Sequence, residues 1–445
     1  MTFTLDELRP EEIVLALPDL QGRLQGSRLG ARHFAEEVAA HGYGCCTYLL
    51  AADVDMQTRP GYAHDPWQNG FGDFTVMPDL TTLRPLPWDP GAALVIGDPV
   101  WPDGGQVAVA PRQVLRGQLD RLAARGLTAH AGTELEFLVF RESYQQAHER
   151  SYAGLTPATR HNVDYALAGL GDLEPVVRRI RRDMAAAGLA LESARGECHP
   201  GQHEIVFRYD EALAACDKHV FYKTGAKAIA AQEGVALTFM AKYDAGEGNS
   251  CHVHLSLRSA DGDHVFAEPE SSAGSGMSRL MEHFVAGQLA CLPELTLLFA
   301  PTVNAYKRLQ PGGFAPTAIA WGRDNRTCPV RVVGAGPSLR IEHRVAGGDA
   351  NPYLAVAAIL AAGLHGVEHE LPLPPEQRGD AGGSAAPRLP PTLREAVERF
   401  ADGAVARKSL GDAVVGHYAH AAREELSAFD RAVTDWERVR GFERL

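Results

Sequence analysis

The spacing of hydrophobic and polar positions changes near residue 106 of this 445-residue chain. Before that point, short apolar runs alternate with turn residues, as in EIVLALPDLQGRLQG and AALVIGDPVWPDGG, which predicts strands and hairpins around one early helix. From Pro111 onward, apolar residues recur at intervals of three and four, which predicts a long amphipathic helix. We therefore predict a first domain over residues 1–106 and a second over residues 107–445.

Strand-like and helical patterns are mixed irregularly beyond this boundary. The strand-like segments are TAHAGTELEFLVF, GQHEIVFRY, VALTFMAKY, CHVHLSL and SLRIEHRV. Helical patterns lie between them, over residues 173–188, 211–234 and 276–292, and the C-terminal part of the chain is again helical. Residues 372–391 are rich in Pro, Gly and Ala, which predicts an exposed excursion. The mixture predicts an α+β fold and is too irregular for a doubly wound parallel sheet.

Composition argues against several classes of protein. Hydrophobic residues make up 45% and charged residues 22% of the chain, which is ordinary for a globular protein. The net charge of −13 argues against nucleic acid as a partner, because phosphate binding requires a positive face. No apolar run approaches the length that spans a bilayer, and the acidic start MTFTLDELRPEEI does not have the regions of a signal peptide. The seven scattered cysteines, without a C-x-x-C pair, are typical of reduced thiols in the cytoplasm.

An acidic pair lies on the first of these strand-like segments. Glu134 and Glu136 are two residues apart, so on a strand both side chains point to one face, while Phe137 and Val139 supply the other. Carboxylates on the inner wall of a sheet are costly unless cations meet them, and this spacing suits one ligand to each of two neighbouring metal ions. An exposed strand face with salt bridges is the alternative for this pair taken alone.

A second acidic stretch, GECHPGQHEIVFRYD, places Glu197 and Glu204 on either side of a Pro-Gly turn. The turn can fold the two carboxylates toward a common point. Carboxylates without a cysteine partner favour hard cations such as Mg²⁺ or Mn²⁺ over zinc. His199 and His203 lie in the same stretch, and as single residues we interpret them as structural.

Histidines and arginines mark two further segments. His252 and His254 share one strand face, an arrangement found in metal sites and in ordinary sheets alike. Five arginines lie between residues 323 and 344. The planar guanidinium group of arginine can bind two oxygens of a carboxylate or phosphate at once. A basic run is usually a solvated face, but this one is interleaved with apolar and turn residues in an acidic protein and therefore indicates an anion site. The arginines are Arg323, Arg326, Arg331, Arg340 and Arg344.

The motifs T-E-L-E-F, P-G-Q-H-E-I, C-H-V-H-L-S, N-A-Y-K-R-L, N-R-x-x-x-x-R and R-I-E-H-R…D-A-N-P-Y follow one another in this order. Together they resemble glutamine synthetase of the bacterial type, and the resemblance covers nearly the whole chain. It implies an N-terminal β-grasp domain and a catalytic domain like that of the guanido kinases, with a curved antiparallel sheet surrounded by helices. It also implies active sites between the subunits of a dodecamer of two stacked hexamers.

The resemblance further implies ATP as a substrate and two or more Mg²⁺ or Mn²⁺ ions. The ligands of the metal ion next to the acceptor carboxylate are matched by Glu136, Glu197 and Glu204. Those of the metal ion that grips the ATP phosphates are matched by Glu134, His252 and Glu342.

The same motifs match residues that contact the two substrates. The glutamate-binding positions are matched by Gly248, Arg308 and Arg344, although EGNS around the glycine departs from the family's usual Asn-Gly-Ser-Gly. The positions facing ATP are matched by His254, Arg326, Arg331 and Arg340. Among them, Arg326 is expected to stabilise phosphoryl transfer, while Arg308 and Arg344 are expected to hold glutamate and its developing phosphate.

The implied reaction has two steps. Because a carboxylate is a poor electrophile, ATP first phosphorylates the γ-carboxylate of L-glutamate, and metal ions and arginines neutralise the charge that builds on the transferring group. An amine then attacks the γ-glutamyl phosphate, which gives an amide, ADP and phosphate. The amine must be deprotonated, so some carboxylate has to accept its proton or hold its cation beforehand.

The loop RLQPGGFAP, residues 308–316, bears on which amine is used. In ammonia-using relatives the matching loop ends in a glutamate that closes over the site and helps bind ammonium, whereas this chain has Phe314 there. A phenyl ring cannot accept a proton, but it can cover an alkyl chain or attract a cation through its face. The family's other acidic ammonium ligand comes from the neighbouring subunit's N-terminal domain, and the candidates here are Asp53 and Asp55.

We therefore predict a γ-glutamyl-amine ligase that uses ethanolamine, another monoamine or a polyamine such as putrescine. Glutamine synthetase proper, using ammonia, is the alternative within this class. A second alternative is a catalytically retired family member that acts as a regulator or scaffold, and the full set of metal ligands and arginines argues against it.

The segment EHELPLPPEQ lacks the regulatory tyrosine that many bacterial ammonia enzymes carry before Leu-Pro-Pro. We therefore predict that adenylylation at this site does not regulate the protein.

Overall fold

The computed structural model describes residues 3–268 and 276–445, and a five-stranded sheet is formed by the N-terminal part of the chain. Its strands are β1 (Glu12–Pro18), β2 (Leu24–Gly30), β3 (Tyr43–Cys46), β4 (Asp73–Pro85) and β5 (Ala92–Val100). The strand order is β2-β1-β5-β4-β3, in which β1 and β5 are parallel and the other neighbours are antiparallel.

A second sheet follows, with nine strands among the described residues. They are β6 (Leu127–Phe140), β7 (Leu191–Gly196), β8 (Gln202–Phe207), β9 (Asp210–Glu211), β10 (Ala236–Thr238), β11 (Cys251–Ser259), β12 (Trp321–Arg323), β13 (Val330–Val333) and β14 (Arg340–His343). The main order is β12-β13-β14-β11-β6-β8-β7, and β9 and β10 also pair with β6. All neighbours are antiparallel except β12 and β13. The α+β class is confirmed, with one parallel pair at the edge of an otherwise antiparallel sheet.

Helices flank both sheets. In the N-terminal part they are α1 (Leu5–Leu8), α2 (Ala31–His33) and α3 (Ala39–His41), with a π-helical turn over Phe34–Val38 between the last two. The next are α4 (Pro111–Ala123), α5 (Tyr144–Glu149), α6 (Leu173–Ala186), α7 (Ala212–Gln232), α8 (Arg279–Phe299), α9 (Ala305–Arg308) and α10 (Pro352–Glu368). The C-terminal helices are α11 (Leu393–Ala401), α12 (Ala404–Leu410), α13 (Asp412–Arg431) and α14 (Asp435–Gly441). Short 3-10 turns cover Thr47–Leu50 and Gly336–Ser338.

Helix α8 runs past the predicted end at residue 292, because it continues through Pro293. The residues beyond the proline include Leu295 and Leu298, which are buried, so tertiary packing offsets the hydrogen bond that proline cannot donate. Helix α8 packs against α10, where Gly287 and Gly366 let the two backbones approach closely, since a Cβ on either would collide with the other helix.

One hydrophobic core includes side chains from both sheets. Trp88, which follows β4, packs on Phe221 of α7 with ring centroids 5.1 Å apart. The first sheet ends at Val100 and the second begins at Leu127, so the predicted boundary at residue 106 lies between them and stays a prediction. No helix within residues 3–268 or 276–445 is long and apolar enough to cross a membrane.

The prediction of an exposed excursion over residues 372–391 is partly wrong. Leu389 and Pro390 are buried, and the Leu389 amide donates to the carbonyl of Thr317 at 2.9 Å. The Ile319 amide in turn donates to the carbonyl of Pro387 at 2.7 Å. This backbone pairing, which composition does not reveal, holds the segment against the end of the loop that carries Phe314.

Candidate active site

Strand register brings acidic and histidine side chains to one face of the second sheet. Glu136 of β6 lies opposite Glu204 of β8, and Glu134 of β6 lies opposite His252 of β11. Directly opposite residues of neighbouring strands share a face, so these four side chains form one row across three strands. The predicted pairing of Glu134 and Glu136 on one strand face therefore agrees with the structure.

The first predicted metal set comes together around the turn between β7 and β8. Glu136, Glu197 and Glu204 each offer an oxygen atom within 4.8 Å of the others. Burial and the neighbouring Glu136 raise the pKa of Glu197 to about 7. Burial and Glu134 raise the pKa of Glu204, and Arg195 opposes them. These shifts show crowded carboxylates that a cation would stabilise.

The second predicted set is only partly brought together. Ligand atoms of Glu134 and Glu342 lie within 4.8 Å of one another together with His254, whereas His252 groups with Glu134 and Glu204. His252 Nδ1 lies 3.4 Å from Glu134 Oε2 and 3.6 Å from Glu342 Oε1. Burial alone would raise the pKa values of Glu134 and Glu342. Hydrogen bonds from His252 and His254 nevertheless hold the pKa of Glu134 well below its usual range. Charges on His252 and Arg344 lower that of Glu342 to about 2.

His254, which we expected beside the nucleotide, lies next to the carboxylates of the second metal set. Its Nε2 is 2.9 Å from Glu134 Oε1, and it stands opposite Glu342 in the register of β11 and β14. Its other nitrogen, Nδ1, is 3.1 Å from Nε of Arg340. His254 thus joins the carboxylates to one of the predicted ATP-facing arginines.

Arg195 is a site residue that sequence reasoning missed. It stands opposite Glu204 in the register of β7 and β8, with its Nη2 2.7 Å from Glu204 Oε1 and its Nε 3.1 Å from Glu197 Oε1. A third carboxylate, Glu134, lies 4.0 Å from Nη2. The sequence offered one signal for Arg195, because it lies two residues before Glu197. Residues at this spacing on a strand point to the same face.

Polar neighbours fix the position of Glu136. The backbone amide of Ser250 donates to Glu136 Oε2 at 2.7 Å, and its hydroxyl also contacts the carboxylate. Gln202 Nε2 lies 3.2 Å from the same oxygen and donates to the carbonyl of Gly248 at 2.9 Å. The carboxylate is therefore held in place by Ser250, just before β11, and by Gln202 of β8.

The two histidines interpreted as structural lie outside the acidic row. His199 contacts the carbonyl of Pro200 at 2.8 Å and Asp244 at 3.0 Å. His203 is buried on the opposite face against Phe137, and burial lowers its pKa to about 3. Neither ring faces the carboxylate row, which agrees with the structural interpretation.

The three predicted glutamate-binding residues line one cavity of about 970 Å³, which we call the acidic cavity. Arg308 is buried and donates to the carbonyl of Val345 at 2.8 Å, and Arg344 donates through Nε to the carbonyl of Arg326 at 3.1 Å. A Cβ at Gly248 would collide with the backbone of a neighbouring segment and press on the Arg308 side chain. The glycine therefore leaves room for the buried arginine.

The acidic cavity is also lined by both carboxylates of β6, by Glu197, Glu204 and His252, and by the loop over residues 309–317. Phe314, at the tip of that loop, lines the cavity and is 72% exposed. Asp53 and Asp55 do not line the acidic cavity. The carboxylate of Asp53 pairs with Arg59 at 2.5 Å and caps its own turn.

A second cavity of about 480 Å³, the arginine cavity, adjoins the first. Its lining includes Glu134, His254, Arg326, Arg331 and Arg340. Arg331 Nη1 lies 2.6 Å from Glu342 Oε2, which links the arginines to the acidic row. Arg326 is exposed and lines both cavities.

A third cavity of about 510 Å³, the outer cavity, lies beside β8 and β11. It shares Glu134, His254 and Arg340 with the arginine cavity, and its wall includes Tyr209 and Arg258. Glu134 therefore lines all three cavities and marks the point where they meet.

Comparisons with known proteins agree with the geometry. The family model described as glutamine synthetase, catalytic domain, matches residues 108–440. A γ-glutamylethanolamide synthetase, GlnA4, of Streptomyces coelicolor is 58% identical over 98% of this chain and 93% of the relative. A glutamate–isopropylamine ligase of a Pseudomonas species is 33% identical over 97% and 94%. A solved structure of a GmaS–ADP complex is 30% identical in sequence and has a TM-score of 0.86. The match covers 98% of this chain and 98% of that structure's chain.

Proposed function

The chain belongs to the glutamine synthetase family, and on this premise we propose that it is an ATP-dependent ligase that joins the γ-carboxylate of L-glutamate to an alkyl amine. Amines of this class include ethanolamine, other monoamines and polyamines such as putrescine. The two relatives named above are a γ-glutamylethanolamide synthetase and a glutamate–isopropylamine ligase, and their names support an alkyl amine in place of ammonia.

One observation supports the alkyl amine above the others. Phe314 lines the same cavity as Glu136, Glu197 and Glu204, so an apolar ring faces the region where the acyl phosphate would form. A phenyl ring offers apolar surface to an alkyl chain, whereas a carboxylate would pair with ammonium. The acidic row and the arginines are retained, which supports an active ligase over a retired scaffold.

Both carboxylate sets fit divalent cations. Glu204 is buried, and buried carboxylates are stable only when paired or bound to metal. Glu342 is also buried and pairs with Arg331 and Arg344. The Oε1 atom of Glu204 lies near Arg195 but accepts no hydrogen bond of proper geometry from the described residues. We assign Glu136, Glu197 and Glu204 to one ion of the Mg²⁺ or Mn²⁺ type, and Glu134, His252 and Glu342 to a second. When bound, such ions neutralise negative charge on the phosphates.

The arginines support the phosphoryl transfer. We assign Arg308 and Arg344 to the carboxylate and developing phosphate of glutamate, beside Gly248. The γ-carboxylate oxygen of glutamate attacks the γ-phosphorus of ATP and ADP leaves, while Arg326 offsets the charge on the transferring group. The arrangement of Arg331, Arg340 and His254 in the arginine cavity suits the remaining phosphates. The amine nitrogen then attacks the acyl carbon, phosphate leaves, and the nitrogen loses a proton.

Exposed apolar side chains support a homo-oligomer. Trp436 and Val439 of α14 are 67% and 74% exposed, and Phe442 just beyond it is 88% exposed. Large apolar residues grouped in this way mark an interaction surface. We propose that other copies of the chain cover them, in the dodecamer of two stacked hexamers that the family resemblance implies. There Asp53 or Asp55 would reach a neighbour's site. We place the enzyme in the cytoplasm, which supplies ATP and glutamate.

Phosphate release from ATP tests the proposal directly. The protein is incubated with ATP, Mg²⁺ and L-glutamate, and with ammonia, ethanolamine, isopropylamine or putrescine in separate reactions. We expect release with at least one alkyl amine at a kcat/KM well above that for ammonia, and mass spectrometry should detect the γ-glutamyl amide. Activity with ammonia alone would identify glutamine synthetase proper, and no release with any amine would favour the retired scaffold.

A further inference from the structure

Asp164 is a carboxylate of the acidic cavity that the metal and glutamate assignments leave without a role. It lies in the segment between α5 and α6, and its side chain is exposed towards the cavity. It differs from the other spare carboxylates of the cavity, Glu247 and Asp380, because it adjoins Glu197. An oxygen of Asp164, an oxygen of Glu197 and the sulfur of Cys198 lie within 4.8 Å of one another.

The backbone around Asp164 is seated tightly on β7. Its neighbour Val163 is buried against Gly196, where any Cβ would collide with the Val163 carbonyl oxygen. The Tyr165 amide donates to the Gly196 carbonyl at 3.4 Å, and the Tyr165 ring lies 5.3 Å from the guanidinium carbon of Arg195. Tyr165 also has a φ of 53°, a conformation that non-glycine residues rarely adopt. These contacts hold Asp164 at a defined place beside the acidic row.

The carboxylate of Asp164 is available to a cation. Its Oδ2 accepts a hydrogen bond from the Cys198 thiol at 3.4 Å. Within the described part of the chain, no lysine, arginine or histidine forms an ion pair with it. A carboxylate held in place without a basic partner, inside a cavity that opens to solvent, is suited to bind a positively charged ligand.

We propose that Asp164 binds the ammonium group of the alkylammonium substrate while Phe314 covers its alkyl chain. This inference rests on the proposed function, since it assigns the charged end of the amine site. The cavity offers both kinds of surface that such a molecule needs: Asp164 at the acidic end, and Phe314 with Leu389 and Pro390 at the loop. An alkylammonium ion carries its charge on a chain of apolar carbons, so its charged group suits Asp164 and its carbons suit Phe314.

The test compares Asp164→Asn with wild type in the phosphate-release assay, with ethanolamine as the varied substrate. Because a hydrogen bond to a charged group is lost, we expect the KM for ethanolamine to rise at least about tenfold. The KM values for glutamate and ATP should stay within about twofold, because Asp164 touches neither in this assignment. Asp261→Asn, on an exposed turn, serves as the matched control and should leave all KM values unchanged.

A second pair of variants tests the thiol that donates to Asp164. Cys198→Ala removes the donor and should raise the KM for ethanolamine by a smaller factor, whereas Cys198→Ser keeps a donor and should stay near wild type. This rescue separates the orienting of Asp164 from a general disturbance of the cavity, and thermal midpoints should agree among all four variants.

Several results would overturn the inference. An unchanged KM for ethanolamine in Asp164→Asn would remove Asp164 from the amine site. A rise in the Mg²⁺ concentration needed for half-maximal activity, with the amine KM unchanged, would make Asp164 a metal ligand. If the wild type released no phosphate with any amine, the proposed function would fail together with this inference, whereas an active wild type confines the failure to Asp164.

Discussion

Glu136 of β6 lies directly opposite Glu204 of β8, and both carboxylates line the cavity that Phe314 also lines. Two buried carboxylates at adjacent positions repel each other, so the fold places them together at a cost in stability. The cost is offset when a cation binds between them. Arg195 offsets part of it in the structure, because its guanidinium contacts Glu204.

Replacing either carboxylate should separate metal binding from folding. We expect Glu136→Gln and Glu204→Gln to weaken Mn²⁺ binding at least about tenfold and to lower activity by a larger factor. The thermal midpoint of the metal-free protein should be unchanged or higher, since a like-charge contact is removed. Isothermal titration with Mn²⁺ and thermal unfolding measure the two effects. Glu149→Gln, on an exposed part of α5, is the control, and equal Mn²⁺ affinity in all variants would contradict the metal assignment.

The loop residue Phe314 should select the amine. We expect Phe314→Glu to lower kcat/KM for ethanolamine by about tenfold and to give measurable use of ammonia, because the apolar cover is replaced by a carboxylate. Phe314→Leu keeps an apolar side chain and should retain the preference for ethanolamine. Phosphate release with each amine measures both variants. An amine preference that is the same in wild type and Phe314→Glu would show that the loop does not select the substrate.

Residue spacing predicted much of the site, because two-residue spacing on a strand fixes a shared face. Glu134 with Glu136, and His252 with His254, follow from this rule alone. The rule does not give the register between strands, so the meeting of Glu134 with His252 came only from family resemblance. Arg195 was missed because Glu134 and Glu204, two of the three carboxylates near it, lie on other strands. The contact of Leu389 with Thr317 was missed because it joins two irregular segments, for which composition predicts only exposure.

Arg326 should act on the rate more than on the fold. Its side chain is exposed and lines the acidic and arginine cavities. We expect Arg326→Ala to lower kcat by about 100-fold or more, as is usual when a donor to developing charge is removed, with little change in the thermal midpoint. Steady-state kinetics with varied ATP and glutamate measure this. Arg378→Ala, an exposed arginine outside the three cavities, is the control, and an equal effect of both variants would contradict the role of Arg326.

Arg112 of α4 should stabilise the contact between the first sheet and helix α7. Its buried guanidinium lies 2.7 Å from Asp79 of β4, 2.5 Å from Asp98 of β5 and 2.9 Å from Asp217 of α7. We expect Arg112→Met to destabilise the protein by about 3–5 kcal/mol, because it leaves the buried carboxylate of Asp217 without its basic partner, while Arg116 still pairs with Asp79 and Asp98. Urea unfolding followed by fluorescence measures the change.

The control for Arg112 is an exposed arginine in an ion pair. Arg32 pairs with Glu36 at 2.8 Å on the surface, and Arg32→Met should change stability by less than about 1 kcal/mol. If Arg112→Met were as stable as Arg32→Met, the aspartates would not depend on the buried guanidinium.

His417 of α13 should make stability fall in acid. Burial lowers the pKa of this ring to about 3, against 6.5 for an ordinary histidine, and the charges of His420 and His64 act in the same direction. Because the folded state binds the proton less readily than the unfolded state, the stabilisation is complete above about pH 6.5 and is lost as pH falls towards about pH 3. For one such group, the free energy of unfolding changes by at most about 1.4 kcal/mol per pH unit.

His417→Gln, which cannot titrate, should show a smaller drop in thermal midpoint between about pH 7 and about pH 5. Equal drops in the variant and the wild type would show that His417 does not remain neutral in the folded protein.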